Sequence, residues 1–590
     1  MDFGPTPGRS RKVRRGQGRR LRWMMLPLLL LMAGAAVVMY VYWESTQPNQ
    51  SRVEPGFGDM ERPVFLNGVM MDKQASGSGA GLLLPLEVLK QINGDAFLAE
   101  EDDVLIVTTK ASVVHFQTDQ LTALMNDEPV TLEFAMQRLD EELYVPAQPL
   151  QDILDYSLEQ FQPSGAVSIW TPGQAIRKAA VADKPNAPEW RAAVRTEPTI
   201  KAPIMAELSQ GEPIVILDEA ELGWYHIQLQ DGYVGHIDKR EVRLIDAAIV
   251  ASVAPIKEAV PWKPLGGRIN LTWEAVYNNN NPNTDQIGEM PGLNVVSPTW
   301  FHLLKRGDGS FYVQNWADPS YVEWAHQRGY QVWALFDNSF DPDLTKEALA
   351  TFESRRSIIR ELLTYANLYN LQGINIDFEN VYLEDGEKLT QFMRELTPLF
   401  HEQGLVVSID VTIRGGSDMW SNFYNREELG KLVDYMMVMT YDEHWASSPV
   451  AGSVASLPWV EKGISDIIQY DHVPPEKLLL GVPYYTRIWT EYVEDGQRKV
   501  SSRALGMTAT QNWIEENGVE LEFDERTGQW YGEKKDGATT YKVWVENADS
   551  MRARADLVKK YDLAGIASWR RGFETPDIWE AIQERLDKKP

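Results

Sequence analysis

From Gly266 onward two textures alternate along the chain. Short apolar runs, RINLTWEAV, LNVVSPTWF, YQVWALFDN, INIDFEN, VVSIDV, YMMVMTYDEHW, LLLGVPYY and GIASWRR, have the length and bulk of buried strands. Between several of them lie runs with apolar residues at helical spacing, such as LTKEALATFESRRSIIRELLTYANLYN and EDGEKLTQFMRELTPLFHEQG. This alternation predicts a parallel sheet with helical crossovers, and eight strands over residues 266–590 have the count and length of an α/β (β/α)8 barrel. Extra sequence between the seventh and eighth strands, around Tyr492 to Tyr541, reads as a small β insertion.

Upstream the apolar runs are shorter. PVFLNGV, GLLLPLEVLKQI, DVLIVTTK, VVHFQ, VTLEF and ELYVPAQPLQDIL predict a small mixed α/β domain over 63–172. A Pro- and Ala-bearing linker is expected at 173–190, and short strands with closely spaced turns over 191–246 predict a small barrel. Further linkers are expected at 44–62 and 247–265. Nearer the N-terminus, Trp23 to Trp43 is uncharged and apolar, and as a helix it would reach about 31 Å, enough to cross a bilayer. The run continues past Ala33, Ala35 and Ala36, so an uncleaved anchor is expected in place of a signal peptide.

Charge fixes the orientation of that anchor. Residues 1–22 carry Arg9, Arg11, Lys12, Arg14, Arg15, Arg19, Arg20 and Arg22 against Asp2, which predicts a cytoplasmic tail and an extracellular body, a single-pass protein of the cell membrane. The whole chain has a formal charge of -28, so the remainder is more acidic still, which argues against a nucleic-acid partner. With no Cys among 590 residues, disulfides, thiolate metal sites and cysteine nucleophiles are excluded. The 20 Trp are expected to be mostly core and surface residues, with some serving as flat platforms for sugar rings.

The fourth strand carries the chemistry. In LQGINIDFEN, Gly373, Asn375, Asp377 and Glu379 share one face, while Ile374, Ile376 and Phe378 share the other. In a barrel the first set points inward, at the carboxyl end where active sites form. Two carboxylates one step apart repel when both are ionised, so one should keep its proton to higher pH, as a general acid must. Other strand ends contribute Met439, Tyr441 and Asp442 from MTYDEHW and Trp569 from GIASWRR. Trp273, Glu274, Trp300, Trp333 and Asp337 also lie near strand ends, where packing is the expected role of each; His444 and Trp445 could line the groove.

On these residues the region Gly266 to Leu586 resembles glycoside hydrolase family 18, the chitinase and N-acetylglucosaminidase family. QGINIDFE matches its DGxDxDxE signature, with Glu379 in the position of the catalytic acid and Asp377 in that of the last Asp. MTYD matches the strand-six Met, Tyr and Asp, and GVPYYTRIW resembles GxPxYxRxW, with Tyr485, Arg487 and Trp489 in its aromatic and Arg positions. Gln372 and Asn375 stand where many chitinases have Asp, a variant similar to the spore cortex-lytic and germination branch. The resemblance implies a retaining, substrate-assisted mechanism in which the 2-acetamido oxygen attacks the anomeric carbon. Glu379 would be acid and then base, Asp377 would orient the acetamide, Tyr441 would bond its carbonyl, and Trp569 would floor the sugar. Asp442, Met439, Asn375, Tyr485 and Arg487 would line the substrate site, with neither metal nor organic cofactor.

Two upstream segments carry weaker resemblances. VRTEP, LSQGEPIVIL, GWYHIQ and DGYVGHI resemble the bacterial SH3 domain, and NGV, TTK and YVPAQPL resemble the domain named from the N-terminus of copper amine oxidases. Together these predict a membrane-anchored hydrolase whose partner is cell-wall glycan, peptidoglycan in preference to a chitin-like oligosaccharide. The alternative is a glycan-binding protein on a barrel without turnover.

Overall fold

The computed structural model describes residues 18–92, 97–101, 103–139, 141–220, 223–252 and 267–586, with side chains from residue 30 on except residue 97. The chain divides into two compact units, Met1–Ile92 with Leu139–Ala254, and Asn93–Arg138 with Pro255–Pro590.

The second unit contains the barrel. Its strands are β1 Ile269–Glu274, β2 Val295–Lys305, β3 Gln331–Asp337, β4 Gly373–Asp377, β5 Val406–Thr412, β6 Tyr435–Met439, β7 Leu478–Pro483 and β8 Gly565–Trp569. Each pairs in parallel with the next, and β8 pairs with β1 to close the ring. The strands are buried on both faces, which explains their nearly continuous apolar sequences. Leu271, Trp273, Trp333, Leu335, Val406, Met437 and Leu479 fill the interior. Ile374, Ile376, Phe378, Val407, Ile409 and Val411 belong to a separate outer core beneath the helices. The alternation in β4 therefore points its polar set inward. Gly373 starts that set because a Cβ there would meet Trp333 Cδ1 and Val406 O at 2.8 Å.

Helices α1 Phe352–Leu368 and α2 Gly386–Glu402 flank β4 in sequence. In α1 the buried side chains Phe352, Arg355, Ile358, Ile359, Leu362 and Ala366 follow helical spacing. Between β7 and β8 lies the expected insertion, a five-stranded antiparallel sheet from Tyr485–Glu494 to Thr539–Val545 with a helix at Met507–Asn517.

Three upstream expectations meet a different arrangement. Residues 63–172 are divided: Phe97–Glu101, Val104–Thr108, Val113–Gln117, Thr122–Met125 and Glu128–Thr131 form a meander within the barrel's unit. Arg355 of α1, fully buried, bonds Glu395 of α2 and Glu101 of the meander at 2.7 Å each, and His115 stacks on Phe352. Apolar periodicity locates such strands but does not say which core receives them. Ala175–Val181, expected within a linker, is a strand paired with Pro213–Ala220 and Val242–Ile249 in a seven-stranded sheet. Its AIRKAAV sequence supplies Ala179 and Val181 to that sheet's core. Tyr225 and Tyr233 pack against the same core, and Trp224, one position from Tyr225 on its strand, is buried as well.

The third concerns the anchor. Gly18–Thr46 is helical, and from Leu30 to Trp43 its large apolar side chains are exposed. Among the described residues no helix is long and apolar enough to cross a membrane, so the expected span at Trp23–Trp43 finds no support there. The side chains of residues 1–29, which include the basic tail and the start of that span, lie outside the described residues, as does most of the expected linker 247–265.

Candidate active site

Parallel pairing sets β3, β4 and β5 in register, with Asp337 opposite Asp377 and Ile376 opposite Ile409. One step beyond the second pair, Asp377 and Asp410 come side by side at the open end of the barrel. Glu379 follows β4, and Asn338, following β3, holds its backbone. Asn338 Nδ2 donates to Glu379 O at 2.7 Å, and Glu379 N donates to Asn338 Oδ1 at 3.1 Å. The Asn338 amide is itself tied to Thr345 Oγ1 at 2.8 Å. On the other side the Tyr424 hydroxyl donates to Phe378 O at 2.8 Å. The peptide carrying the acid is thus fixed from two neighbouring loops.

Burial and like charge together decide the protonation states. Burial, with Asp442 and Asp337 nearby, pushes the Glu379 carboxyl up from 4.5 to about 7. Asp377 and Asp410 are also held well above the usual carboxylate range, first by burial and then by neighbouring acids. Asn375, one of the two departures from the DGxDxDxE pattern, lies beneath them. The Trp273 indole donates to Asn375 Oδ1 at 3.1 Å, and Ser297 Oγ does so at 3.4 Å.

The strand-six and strand-seven residues converge on one oxygen. Tyr485 OH donates to Asp442 Oδ1 at 2.7 Å, and the Arg487 guanidinium donates to the same atom at 3.2 Å. Tyr441 sits edge-on to Tyr485 with ring centroids 6.3 Å apart, and its hydroxyl is raised by burial and by Asp410, Tyr485, Glu379 and Asp377. Met439 ends β6, buried, opposite Thr412. Trp569 ends β8 against Trp273, with centroids 6.0 Å apart. The structure therefore gathers Asn375, Asp377, Glu379, Tyr441, Asp442, Tyr485, Arg487 and Trp569 around the mouth of one barrel.

Several strand-end residues prove to be supports. Glu274 is ion-paired with Arg571, at 2.8 Å for its second contact. Trp300 bonds Asn281 at 2.7 Å, and Trp333 lies fully buried against Tyr435. His444 Nδ1 is bonded to Ser453 O at 2.8 Å, while Trp445 is exposed. Asp337, expected to pack, instead pairs with His302 Nδ1 at 2.7 Å and bears on the charge of Glu379. Asp410, Asn338, Tyr424 and His302 went unread in the sequence. Only Asp410 left a signal there: Ser408 and Asp410 alternate within VVSIDV as the polar residues of β4 do.

With that arrangement in place, comparison with known proteins is decisive for the domains. Residues 340–574 match the model of glycosyl hydrolases family 18. The chain carries a family 18 domain. Residues 190–243 match the bacterial SH3 domain. The chain is 26% identical over 306 residues to the uncharacterized glycosylase YvbX of Bacillus subtilis, covering 50% of this chain and 84% of that protein. It is 25% identical over 260 residues to the cortical fragment-lytic enzyme of the same species, covering 43% of this chain and 58% of the relative. Human di-N-acetylchitobiase is 26% identical over 311 residues, covering 46% of this chain and 77% of the relative. The family 18 domain makes the protein a glycoside hydrolase.

Proposed function

We propose that the family 18 domain cleaves β-linked, N-acetylglucosamine-containing glycan by a retaining, substrate-assisted reaction. The observation that carries this reading is Glu379: a carboxyl held at about 7, at the end of β4, is protonated often enough at neutral pH to act as an acid and ionised often enough to act as a base. Glu379 protonates the leaving glycosidic oxygen while the substrate's acetamide oxygen attacks the anomeric carbon. Asp377 accepts from the acetamide N–H and balances the positive charge that develops there. Tyr441 donates to the acetamide carbonyl, and Trp569 stacks beneath the sugar. In the second half-reaction ionised Glu379 takes a proton from water as it adds to the anomeric carbon, so configuration is retained and the acid is regenerated.

Bacterial wall peptidoglycan is the proposed substrate. The SH3 domain, the apolar helix from Leu30 to Trp43 with its side chains in solvent, and the name of the cortical fragment-lytic relative all support a site at the wall. On this reading the helix that begins in the basic segment anchors the protein in the cell membrane, with the catalytic domain outside. Neither metal nor organic cofactor has a step in this chemistry. The test is mass spectrometry of products from defined peptidoglycan and chitin oligosaccharides, comparing wild type with Glu379→Gln. New reducing ends from wild type alone are expected. Binding of glycan without cleavage by either protein would refute the reading in favour of a glycan-binding role.

A further inference from the structure

A row of three side-chain positions crosses the barrel mouth: His302 of β2, Asp337 of β3 and Asp377 of β4 are paired in register. The row exists because β2 carries one extra residue. Thr299 pairs with Leu335, and Phe301, two positions on, pairs with Phe336. Without this bulge at Trp300, Phe301 would stand opposite Asp337; with it, His302 does. Trp333 and Leu335 point into the barrel, so Asp337 does too. His302 Nδ1 lies 2.7 Å from Asp337 Oδ2, and Trp316 packs on the imidazole with ring centroids 4.2 Å apart. The two side chains are 15% and 12% exposed, so water and salt screen the pair poorly. The next residue, Asn338, grips the Glu379 backbone, which ties the Asp337 carboxyl to the catalytic acid through a short, fixed path.

Hydrogen bonding fixes the protons of this pair. Asp337 Oδ1 accepts from Ser339 N at 2.9 Å while Oδ2 faces the imidazole. Donors on both oxygens favour a carboxylate. Among the described residues, His302 Nε2 is buried without a hydrogen-bond partner. In the neutral ring with its proton on Nδ1, that atom holds only a lone pair; in the imidazolium it would be a charged N–H without an acceptor, which costs more. The pair is therefore a neutral donor and a carboxylate. The surrounding acids act in the same sense: Asp377 stands beside Asp337, and Asp410 on β5 and Asp442 after β6 bear on the strand-four carboxyls. Arg487 is bonded to Asp442, and the phenols of Tyr424 and Tyr441 are kept protonated by burial.

We propose that His302 is a positioning residue: by donating to Asp337 it keeps a negative charge fixed at the end of β3, and that charge holds the proton on Glu379 until the leaving oxygen takes it. Without the imidazole, buried Asp337 has one donor in place of two and accepts a proton more readily. The negative charge facing Glu379 then falls, and Glu379 ionises at lower pH. Asp337 is the third cause of the rise of Glu379 from 4.5 to about 7, so its share is at most a third, less than about 1 pH unit.

This inference rests on the proposed reaction for its consequence in turnover, but the Glu379 proton can be followed without turnover. In infrared spectra of the full chain, the protonated-carboxyl band that Glu379→Gln removes is titrated against pH. His302→Leu should lower the midpoint of that band by about 0.3–0.8 pH units. His302→Asn, whose amide Nδ2 takes the place of Nδ1, should leave it unchanged. Asp337→Asn should lower it at least as far as His302→Leu, and combining the two should lower it no further. The alkaline limb of kcat/KM on a soluble aryl N-acetylglucosamine oligosaccharide should move in step. A midpoint that His302→Leu leaves in place overturns the positioning role. So does an equal shift in His302→Asn, or a His302→Leu effect that persists in full beside Asp337→Asn. If wild type releases no reducing ends while the midpoint moves as expected, the proposed reaction is refuted and the hold of His302 on the Glu379 proton stands.

Discussion

Asp442→Asn isolates the electrostatic control of the catalytic acid. Asp442 adopts a left-handed conformation, φ 61°, which Asn accepts readily, so the backbone should not move. Asn Oδ1 can still accept from Tyr485 and Arg487, so the substitution removes charge and keeps contact. The Glu379 carboxyl stands at about 7 against an ordinary 4.5, with burial the largest cause, Asp442 the second and Asp337 the third. As the second cause, Asp442 accounts for at most half of that rise, roughly 1 pH unit, or about 1.4 kcal/mol. A general acid must be protonated, so its ionisation sets the alkaline limb of kcat/KM for the free enzyme. Removing a nearby negative charge makes ionisation easier and moves that limb to lower pH. The assay is kcat/KM between pH 4 and about 9 on a soluble aryl N-acetylglucosamine oligosaccharide. An alkaline limb that does not move, or that moves upward, refutes the assignment of Glu379 as the titrating acid.

Four further outcomes follow from the same contacts. Glu379→Gln should abolish hydrolysis yet stabilise the fold at high pH. A buried carboxyl raised from 4.5 to about 7 binds more protons folded than unfolded across that window, so wild type loses up to about 3 kcal/mol as pH rises through it, and thermal melts against pH read the difference. Asn338→Ala removes the clamp on the Glu379 backbone; kcat should fall about a hundredfold, and the melting temperature should fall too because the Glu379 N–H and carbonyl lose their buried partner, while an unchanged kcat would show that the clamp does not position the acid. Arg355→Leu leaves Glu395 buried without its partner, so urea unfolding should show a loss of about 3–5 kcal/mol; a smaller loss would mean that the meander at residues 97–131 releases and water reaches Glu395. Activity should be the same with and without a chelator, and loss in chelator would implicate a metal that the proposed chemistry does not use.

The sequence by itself determined the periodicities and what they require locally. Strands buried on both faces read as continuous apolar runs, helices as amphipathic ones, so the barrel and its insertion are legible in the chain itself. The inward set Asn375, Asp377, Glu379 was equally legible, because a strand's alternation is fixed by backbone geometry and does not depend on what it packs against. Tertiary structure decided what depends on distance between segments remote in sequence. Asp410 lies 33 positions from Asp377 and becomes its neighbour only through the β4–β5 register. Asn338, 41 positions from Glu379, reaches it by the pairing of β3 with β4. The meander at residues 97–131 has ordinary strand sequence, and contacts made in the folded unit assign it to the barrel: the buried Arg355 between Glu101 and Glu395, the His115 ring on Phe352, and Ile106 and Val113 in the outer core. A carboxyl's proton affinity likewise follows from burial and from its charged neighbours, and both are properties of the packed molecule.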